Sequence, residues 1–542
     1  MHTIVRYLGC LLLILSIFPS IAQKREKVNL ESADSLVGSV REGQETRRLL
    51  GNVRLRQGTT IITCDSAYLY SYRNFVEAYG NVRIVQNDSI TITGNNGTYD
   101  GQTKQAKMRN NVVMNDGTKT LRTERLDYDM ISSVAYYPDN GTIVEGENTV
   151  ISRQGYYNTQ TKVFTFEKDV VMTSPTYKLT SDKVIYDSRT KVAYFTTLTH
   201  ITSKDGTLVS TDGEYNTLTG ISVFRSRSSI EYDTYTLTGD RLNYDKMNQT
   251  GVATGNVLLY ARKDSVIVEG DTARYFGKIG LSKVYGKALM KKIMKKDTLY
   301  ITGDTLVSVE NKETRVKKIF AYQNVRIFKR DLQGKCDSLV YNQRDSTIHF
   351  YRDPVIWNDR SQLTADTVNI QMARGAIERM YLKTNSFVVS LDTLNNYNQV
   401  KGRQMVAYFD TTSKLYRVTV NGNGENVTWV LNDVNTNVRG VNKVECSNMI
   451  INLTEGKVKK VAFLNKPDAV FIPPHEIVEP DTRLRGFKWR DKEKPTRKDV
   501  LIRGPIPVPA TKKQKPATKP KKTVDKTRPV AKAGNEQLKG LR

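Results

Sequence analysis

Residues 51–100 read GNVRLRQGTTIITCDSAYLYSYRNFVEAYGNVRIVQNDSITITGNNGTYD, and this stretch contains two copies of one pattern. The first copy begins with GNVRL at Gly51, and the second begins with GNVRI at Gly80. The copies continue through ITCDSAY and ITITGNNGTY, and a third copy begins near Asn111. Self-similarity at a fixed interval is typical of repeat proteins, so the chain is organised as an array.

Tyrosines mark the period of this array. They recur at intervals of 29 residues, at Tyr99, Tyr128, Tyr157, Tyr186, Tyr215 and Tyr244. The pattern continues with less regular spacing to about residue 372 and only loosely to about residue 470. If each repeat is one layer, these tyrosines should form a row down one side of the fold, separated by one or two strand spacings of about 4.8 Å.

Short alternations of apolar residues predict what each repeat folds into. Pairs such as Val82 and Ile84 lie two positions apart, which places both side chains on one face of a strand. Near Gly239 and Gly270 the alternation changes phase, which indicates a bulge or corner where the strand bends. The chain is therefore predicted to be all-β, an elongated open β-jelly roll or solenoid-like stack of about 29-residue repeats.

Composition divides the chain into four parts. Residues 1–22 have a basic start, an apolar run and small residues before a cleavage site, which indicates a signal peptide. Residues 23–48 are interpreted as a polar lead-in, and residues 49–471 as the array, built as two or more fused modules or as one long trough. Residues 472–542 are predicted to be a disordered, Pro- and Lys-rich tail.

The net charge of +27 is concentrated in that tail. Residues 483–542 hold 20 Lys and Arg against 5 Asp and Glu, a net of +15. A nucleic-acid-binding protein usually spreads basic charge over a folded surface, so no nucleic-acid partner is expected. Attraction of the tail to an anionic surface and a merely solvated tail both remain open.

Catalytic and metal-binding patterns are not found in the sequence. The histidines after residue 22 are isolated, at His200, His349 and His475. We therefore expect no enzyme activity, no catalytic residues, no cofactor and no metal. We also expect Cys64, Cys336 and Cys446 to be buried free thiols, since an odd number cannot pair within one chain.

Acidic residues recur at one position of the pattern, at Asp65, Asp182, Asp240, Asp271, Asp304, Asp337 and Asp366. They could form a ladder of cation or acid sites. Ser or Thr follows five of them, a pairing that is suited to bonding backbone N–H groups at a corner. The structural interpretation is favoured.

The sequence resembles the OstA/LptA family of periplasmic lipopolysaccharide-transport proteins, whose module is shared with the N-terminal domain of LptD. The resemblance rests on GNVRL, ITCDSAY, EAYGNVRI and TGDRLNYD, and it extends from about residue 49 to 372 before fading toward 470. It implies an open β-jelly roll, V-shaped in section, whose apolar trough shields acyl chains. The array exceeds one such module in length, and no barrel sequence follows it, which favours a bridging function.

The resemblance also implies partners and a location. The expected partners are lipopolysaccharide and other transport components with jelly-roll modules at the inner and outer membranes, together with end-to-end self-association. The expected location is the periplasm, and association with the outer membrane stays open. Inward-facing candidates for lipid binding are Val53, Leu55, Val82, Ile84, Ile90, Ile92, Val112, Met114, Val266, Val268, Leu299 and Ile301.

Two other functions remain open. A closed β-solenoid, filled by its own side chains, would be an envelope scaffold or adhesin. A β-helix enzyme acting on polysaccharide is less favoured than lipid carriage or the scaffold, because the sequence shows no convincing acid and base pair. A fully packed interior would favour the scaffold, and an interior open along one edge would favour lipid carriage.

Overall fold

The computed structural model describes residues 26–501 apart from residues 42–43, 205, 234, 295–296, 312, 315, 375, 413 and 455–456. The described residues form one antiparallel sheet of 38 strands. Strands make up 70% of the structure and helices 4%, which confirms the predicted all-β fold. The signal peptide predicted for residues 1–22 lies outside the described residues.

The strands follow in chain order. The first are β1 (Asn29–Ser32), β2 (Ser35–Arg41), β3 (Gln44–Gln57), β4 (Thr60–Tyr70), β5 (Phe75–Gln86), β6 (Ile90–Asp100), β7 (Gln105–Asn115), β8 (Thr120–Asp129), β9 (Val134–Tyr137), β10 (Gly141–Glu145), β11 (Asn148–Ser152), β12 (Gln154–Asn158) and β13 (Val163–Thr173). Next come β14 (Tyr177–Asp187), β15 (Val192–Phe195), β16 (Thr199–Ser203), β17 (Thr207–Ser210), β18 (Gly213–Asn216), β19 (Ile221–Phe224), β20 (Ser228–Glu231), β21 (Tyr235–Gly239), β22 (Arg241–Asp245), β23 (Thr250–Ala261), β24 (Val266–Phe276), β25 (Leu281–Ile293) and β26 (Thr298–Glu310). The last are β27 (Lys317–Lys329), β28 (Leu332–Asn342), β29 (Thr347–Tyr351), β30 (Val355–Asn358), β31 (Ser361–Thr364), β32 (Thr367–Ala373), β33 (Ala376–Leu391), β34 (Tyr397–Phe409), β35 (Leu415–Leu431), β36 (Val438–Thr454), β37 (Lys457–Leu464) and β38 (Asp468–Ile472).

Each rung of the sheet is one long strand, or two short strands in line, that bends at its middle. Between β4 and β5, residues 60–63 pair with residues 83–86, and residues 66–70 pair with residues 75–79. The register shifts between these two blocks, as it does between each pair of successive long strands from β3 to β8. We call the half-sheet that contains residues 60–63 leaf 1, and the half-sheet that contains residues 66–70 leaf 2.

The bend between the leaves is built from residues with positive φ. Gly80 and Asn81 have φ of 74° and 46°, and Gly51 and Asn52 repeat this at 70° and 44°. Two successive left-handed residues turn the strand, and Gly and Asn adopt that conformation at the least steric cost. The phase change that the sequence predicts near Gly270 lies at the corner of β24, where its register with β23 and β25 shifts. The corner places the apolar faces of both leaves against one another.

The chain turns alternately at the outer edge of leaf 1 and at the outer edge of leaf 2. The β5–β6 connection, residues 87–89, is a leaf-1 turn, and the β6–β7 connection, residues 101–104, is a leaf-2 turn. The two turn edges face each other on the side opposite the corner. We call the line along which they meet the mouth.

The array begins earlier than its predicted start at residue 49. The described residues of the predicted lead-in, 23–48, include β1, β2 and the start of β3. β1 pairs with leaf 1 of β3, and β2 pairs with leaf 2 of the same strand. These short strands are too polar to show a clear apolar alternation, yet backbone pairing suffices to add a rung.

The chain after β38 returns along the outer face of leaf 1, and we call residues 473–501 the return segment. It contains 3₁₀ turns at Pro474–Glu476, Glu479–Thr482 and Asp491–Glu493 and a short helix at Arg497–Val500; one further 3₁₀ turn, at Gly277–Ile279, lies within the array. Leu484 is buried against Val389 and Val427, and Val500 is buried against Leu289. The tail predicted for residues 472–542 is therefore packed in its described part, and residues 502–542 lie outside the described residues.

Two buried glutamines hold the return segment by its backbone. Gln399 donates to the Thr482 carbonyl at 2.7 Å and accepts from the Leu484 N–H at 2.9 Å. Gln362 makes the same pair of bonds to Lys488 and Arg490, both at 2.7 Å. Each amide reproduces the pairing of a neighbouring strand, which composition alone does not reveal.

No helix among the described residues is long and apolar enough to cross a membrane.

Candidate functional site

One apolar core fills the space between the leaves. It is a single cluster of buried side chains that extends from Val28 to Ile451 and draws on both leaves. Residues of leaf 1 such as Val82 and residues of leaf 2 such as Met108 belong to this one cluster. The two leaves therefore pack against each other through a shared core.

All twelve residues predicted to face the interior lie in leaf 1 and in this core. Nine are at most 6% exposed: Val53, Leu55, Val82, Ile84, Ile90, Ile92, Val112, Met114 and Ile301. Val266, Val268 and Leu299 are partly buried and pack against the same cluster. Their binding of lipid stays a prediction.

Leaf 2 supplies the other wall of the core, which the sequence candidates missed. Its buried residues include Leu49, Ala67, Val76, Ala78, Tyr99, Ala106, Met108, Leu126 and Tyr128. The phase change on alternate rungs carried the signal for them: on β4 the inward set moves from Ile62 and Cys64 to Ala67 and Leu69. The tyrosine period was a second signal, because those residues lie in this wall.

Two cavities in the interior are small. Their volumes are about 10 and 40 Å³. Pockets that hold a drug-sized ligand span roughly 300 Å³ or more, and a cavity needs about 10–15 Å³ to hold one water. Neither cavity accommodates an acyl chain, so a chain held at either place would require the leaves to separate.

The tyrosines of the 29-residue period form a row along the mouth edge of leaf 2. Tyr99 pairs with Ala106, which pairs with Tyr128, which pairs with Ala135. The same register continues through Tyr157, Tyr186, Tyr215 and Tyr244. Neighbouring tyrosines are two strands apart, about 10 Å at ~4.8 Å per strand, which confirms the predicted row.

The first tyrosines of the row cross the mouth to glutamines of leaf 1. The Tyr99 hydroxyl donates to Gln57 Oε1 at 2.5 Å, and the Tyr128 hydroxyl donates to Gln86 Oε1 at 2.6 Å. Gln57 also donates to the carbonyl of Gly101 in the facing turn at 2.8 Å. These bonds join the two edges of the mouth, and both tyrosines are 2% exposed.

The next two tyrosines meet carboxylates. The Tyr157 hydroxyl donates to Asp116, and the Tyr186 hydroxyl donates to Glu145 at 3.3 Å. Lysines of leaf 2 contact the same carboxylates across the mouth. Lys162 Nζ lies 3.1 Å from Asp116, and Lys191 Nζ lies 2.8 Å from Glu145. The four tyrosine partners lie 42, 42, 41 and 41 residues earlier in the chain. We call these four bonds the latches.

Asp116 is the most strongly perturbed carboxyl of the latches. Its side chain is 1% exposed. Burial opposes its ionisation, but hydrogen bonds from Tyr157, from the N–H groups of Thr118 and Lys119, and from Lys162 outweigh burial and hold its pKa well below the usual range. Burial and the neighbouring Asp116 carboxylate raise the pKa of Tyr157 well above the usual range. The charged form of Asp116 is therefore part of the closed mouth.

The contacts across the mouth change after Tyr186. The positions 41 residues before Tyr215 and Tyr244 are Ser174 and Ser203. Tyr215 instead packs edge-on against Tyr177 with ring centroids 5.3 Å apart. Tyr244 contacts the Tyr232 hydroxyl, and burial raises the pKa of Tyr232 well above the usual range. The larger cavity, of about 40 Å³, lies in this stretch.

The acidic residues of the repeat are corner residues. Four accept a hydrogen bond from the corner asparagine of the next rung, in the pairs Asp65–Asn81, Asp240–Asn256, Asp304–Asn324 and Asp366–Asn385, at 2.8–3.1 Å. The structural interpretation holds, although the partner is a side-chain amide and not the local backbone. Within the described part of the chain, no group of three or more His, Cys, Asp or Glu could hold a metal.

Cys64, Cys336 and Cys446 are buried free thiols, as predicted. Burial raises the pKa of Cys64 to about 11 and that of Cys336 to about 12. Thiols with such pKa values are poor nucleophiles at neutral pH.

Comparison with known proteins finds a family match for the first part of this architecture. Residues 25–182 and 179–240 match the family model described as OstA-like protein. The chain is OstA-like over residues 25–240. The matched region starts just before β1, in agreement with the start of the array in the structure, and it contains all four latches.

Solved structures include similar chains. One is LptH from Pseudomonas aeruginosa, described as the LptA homologous periplasmic component of the conserved lipopolysaccharide transport device. It shares 14% identity, covers 22% of this chain and 82% of its own, and superposes with a TM-score of 0.19. No curated protein matches the chain.

Proposed function

We propose that this protein carries lipopolysaccharide between the inner and outer membranes, with the acyl chains held between the two leaves. The observation that carries the proposal is the single apolar core that both leaves share from Val28 to Ile451, closed along one side by polar bonds. The match of residues 25–240 to the OstA-like family model supports the same function. The sugars and phosphates of the lipid would stay in water outside the mouth.

The free energy of burying an acyl chain is large enough to offset the latches that are lost when the leaves separate. Each latch is one hydrogen bond, with a net value of about 0.5–1.5 kcal/mol for a neutral pair and about 1.5–3 kcal/mol with a charged partner. Burial of one CH₂ group contributes roughly 0.8 kcal/mol. A few methylenes per latch therefore offset the lost bond, provided that the acyl chain replaces the contacts between the leaves.

The ends of the array offer surfaces for the expected partners. At one end of the array, β1 and β2 each pair with β3. At the other end, β38 pairs with β36. Among the described residues, none of these three strands has a second partner. Leu36 and Val37 on β2 are 50% and 48% exposed, and Phe471 on β38 is 54% exposed. An unpaired, partly apolar edge can add the strand of another jelly roll. We propose that jelly-roll modules at the two membranes, or a second copy of this chain, pair with these edges in the periplasm.

The filled interior favours one other function. A stack of leaves that never separates would be an envelope scaffold, and the small cavities are what such a scaffold needs. The two functions differ in whether lipid reaches the core.

Photo-crosslinking distinguishes them. A photo-reactive residue at Ile92, which is 1% exposed in the core, should capture lipopolysaccharide in cells. The matched control is Arg83, whose side chain is exposed and points away from the core that its neighbour Ile84 enters. Capture at Ile92 and not at Arg83, in variants that unfold like the parent, supports carriage. Capture at neither position in a folded protein supports the scaffold.

A further inference from the structure

Five charged side chains alternate in sign along the latched part of the mouth. Lys162 Nζ lies 3.1 Å from Asp116, and Lys191 Nζ lies 2.8 Å from Glu145. Between the two carboxylates, Lys119 Nζ lies 3.8 Å from Asp116 and 3.5 Å from Glu145. The order along the mouth is therefore Lys162, Asp116, Lys119, Glu145 and Lys191. We call these five residues the charge row.

The charge row is divided between the leaves. Its three inner members, Asp116, Lys119 and Glu145, belong to leaf 1, at the β7–β8 turn and at the end of β10. Its two outer members, Lys162 and Lys191, end the leaf-2 turns that precede β13 and β15. When the leaves separate, both carboxylates stay with Lys119 on leaf 1. The two lysines of leaf 2 then lose their carboxylate partners.

The backbone of these two turns favours glycine over lysine. Lys162 and Lys191 have φ of 62° and 61°, and Gly220, at the equivalent place one repeat later, has φ of 72°. Glycine adopts this left-handed conformation at the least steric cost, whereas a residue with a Cβ is disfavoured in it. The advantage of lysine at these places therefore lies in its ammonium group.

The ammonium groups of leaf 2 are open to solvent. The Lys162 and Lys191 side chains are 37% and 34% exposed, whereas the Asp116 side chain is 1% exposed. Arg189 and Asp187, in the same stretch of leaf 2, lie 3.7 Å apart and offset each other. An anion can therefore reach Lys162 and Lys191 from outside the mouth, and these two lysines set the charge of this part of leaf 2.

The charge row also adjoins the core. The cavity of about 10 Å³ is lined by Lys119 and Glu145 of the charge row. It is lined as well by Phe164 and Phe166, which belong to the core that both leaves share. A molecule at this place meets charged groups and apolar surface side by side, which is the arrangement that suits an amphiphile.

We infer that Lys162 and Lys191 bind phosphate groups in the headgroup of the lipid whose acyl chains lie between the leaves. This inference rests on the proposed function and names the chemical group that the mouth recognises. A lipid with its chains in the core must place its headgroup where the two leaves meet. There, leaf 2 offers two ammonium groups from turns two strands apart, roughly 10 Å at the spacing of strands in a sheet.

Phosphate suits these lysines better than a carboxylate does. A phosphate monoester carries up to two negative charges and three acceptor oxygens. Lysine binds it as a point charge, whereas planar, two-bond recognition of a carboxylate favours arginine. Hydrogen bonds to phosphate would thus replace the bonds that Lys162 and Lys191 lose to Asp116 and Glu145.

The direction of one effect separates this role from a purely structural one. If the two lysines only hold the mouth closed, their removal makes opening easier, and lipid binding is preserved or strengthened. If they bind phosphate, their removal weakens lipid binding even though the mouth is less firmly closed.

The test uses the full-length protein, purified lipopolysaccharide and the same lipid after removal of its phosphate groups. The variant is Lys162→Gln with Lys191→Gln. The matched control is Lys107→Gln, because Lys107 is an exposed lysine on the outer face of leaf 2. Lys162→Arg with Lys191→Arg keeps both positive charges and controls for folding, which is followed by thermal unfolding.

The double glutamine variant should bind intact lipopolysaccharide about tenfold more weakly than the parent does, the effect of losing charge-assisted hydrogen bonds. It should bind the dephosphorylated lipid as the parent does. Lys107→Gln should match the parent with both lipids, and the double arginine variant should recover most of the affinity for intact lipid.

Three results overturn the phosphate site without affecting the carriage proposal. They are undiminished binding of intact lipid by the double glutamine variant, an equal loss with the dephosphorylated lipid, and equal affinity of the parent for the two lipids. The last of these needs no variant, so it holds whether or not the variants fold. If the parent binds neither lipid, carriage and the phosphate site are removed together.

Inorganic phosphate distinguishes the lipid headgroup from the free anion. It should leave the unfolding temperature of the parent unchanged, because both lysines stay paired with carboxylates until acyl chains separate the leaves. A rise in the parent that the double glutamine variant lacks would assign the site to free phosphate and overturn the lipid headgroup as its ligand.

Discussion

Tyr157 donates its hydroxyl to Asp116 across the mouth, from a position 41 residues later in the chain. The bond joins strand β12 of leaf 2 to the β7–β8 turn of leaf 1, and the Asp116 side chain is almost fully buried. Because the partner is charged, this latch should be stronger than the latches that end on glutamine.

Tyr157→Phe should cost about 1.5–3 kcal/mol of unfolding free energy, the range for a hydrogen bond to a charged group. Tyr128→Phe, at the equivalent place in the row, should cost about 0.5–1.5 kcal/mol because its partner is the neutral Gln86. Urea unfolding of the two variants gives the comparison. Equal costs would show that the charge of Asp116 adds nothing to the latch.

Acid should weaken the closed mouth through Asp116. Its folded-state pKa is depressed, so its contribution to stability is complete above the ordinary carboxyl pKa of about 4 and is lost as the pH falls below that value. The unfolding temperature should therefore fall less steeply between pH 7 and pH 3 in Asp116→Asn than in the parent. Parallel pH profiles would exclude Asp116 as the source of the acid sensitivity.

Alanine substitution should cost more unfolding free energy at a corner glycine than at a glycine of similar φ outside the corner. Gly80 has φ of 74°, and an added Cβ would lie 2.4 Å from Asp65 Oδ2, whereas Gly146 has φ of 57° and open space around it. Gly146→Ala should cost about 1–2 kcal/mol from the left-handed conformation alone. Gly80→Ala should cost more, since it also displaces the Asp65 carboxylate from Asn81. Equal unfolding midpoints would contradict the corner contact.

The return segment should stabilise the last rungs. Truncation after Ile472 exposes the surface that Leu484 and Val500 cover, at about 1.5–3 kcal/mol for each side chain. It also removes the four hydrogen bonds that Gln362 and Gln399 make to the backbone of the return segment, at about 0.5–1.5 kcal/mol each. The unfolding temperature should fall by many degrees.

Truncation after Leu501 is the control for that deletion. Residues 502–542 hold 12 Lys and Arg and 2 Asp and Glu, a composition that is predicted to bury little surface. The unfolding temperature should stay close to that of the parent. A large loss from this truncation, or none from truncation after Ile472, would contradict the assignment of the return segment.

The fold could be predicted from the sequence because the same pattern recurs in each repeat. The 29-residue period of the tyrosines follows from two rungs per repeat, and the phase change near Gly239 and Gly270 follows from the corner. Leaf 1 was predicted through alternations such as Val82 and Ile84. Strands β1 and β2 were missed because they are held by backbone pairing and carry few apolar residues.

The mouth could be predicted only in part. The tyrosine row was visible, but its partners lie 41 or 42 residues away and belong to a different leaf, so spacing within one repeat does not reveal them. The return segment was hidden by its charge. Gln362 and Gln399 recognise backbone and not side chains, so the Lys- and Arg-rich sequence that they bind resembles a solvated tail.

The distance across the mouth tests the account most directly. Spin labels at Lys204 and Leu218, exposed residues of facing turns, should move apart when purified lipopolysaccharide is added to the full-length protein. A second pair at Gln160 and Leu218, both on leaf 2, should keep its separation. If lipid binds and the Lys204–Leu218 distance is unchanged, the leaves do not separate and the lipid lies elsewhere.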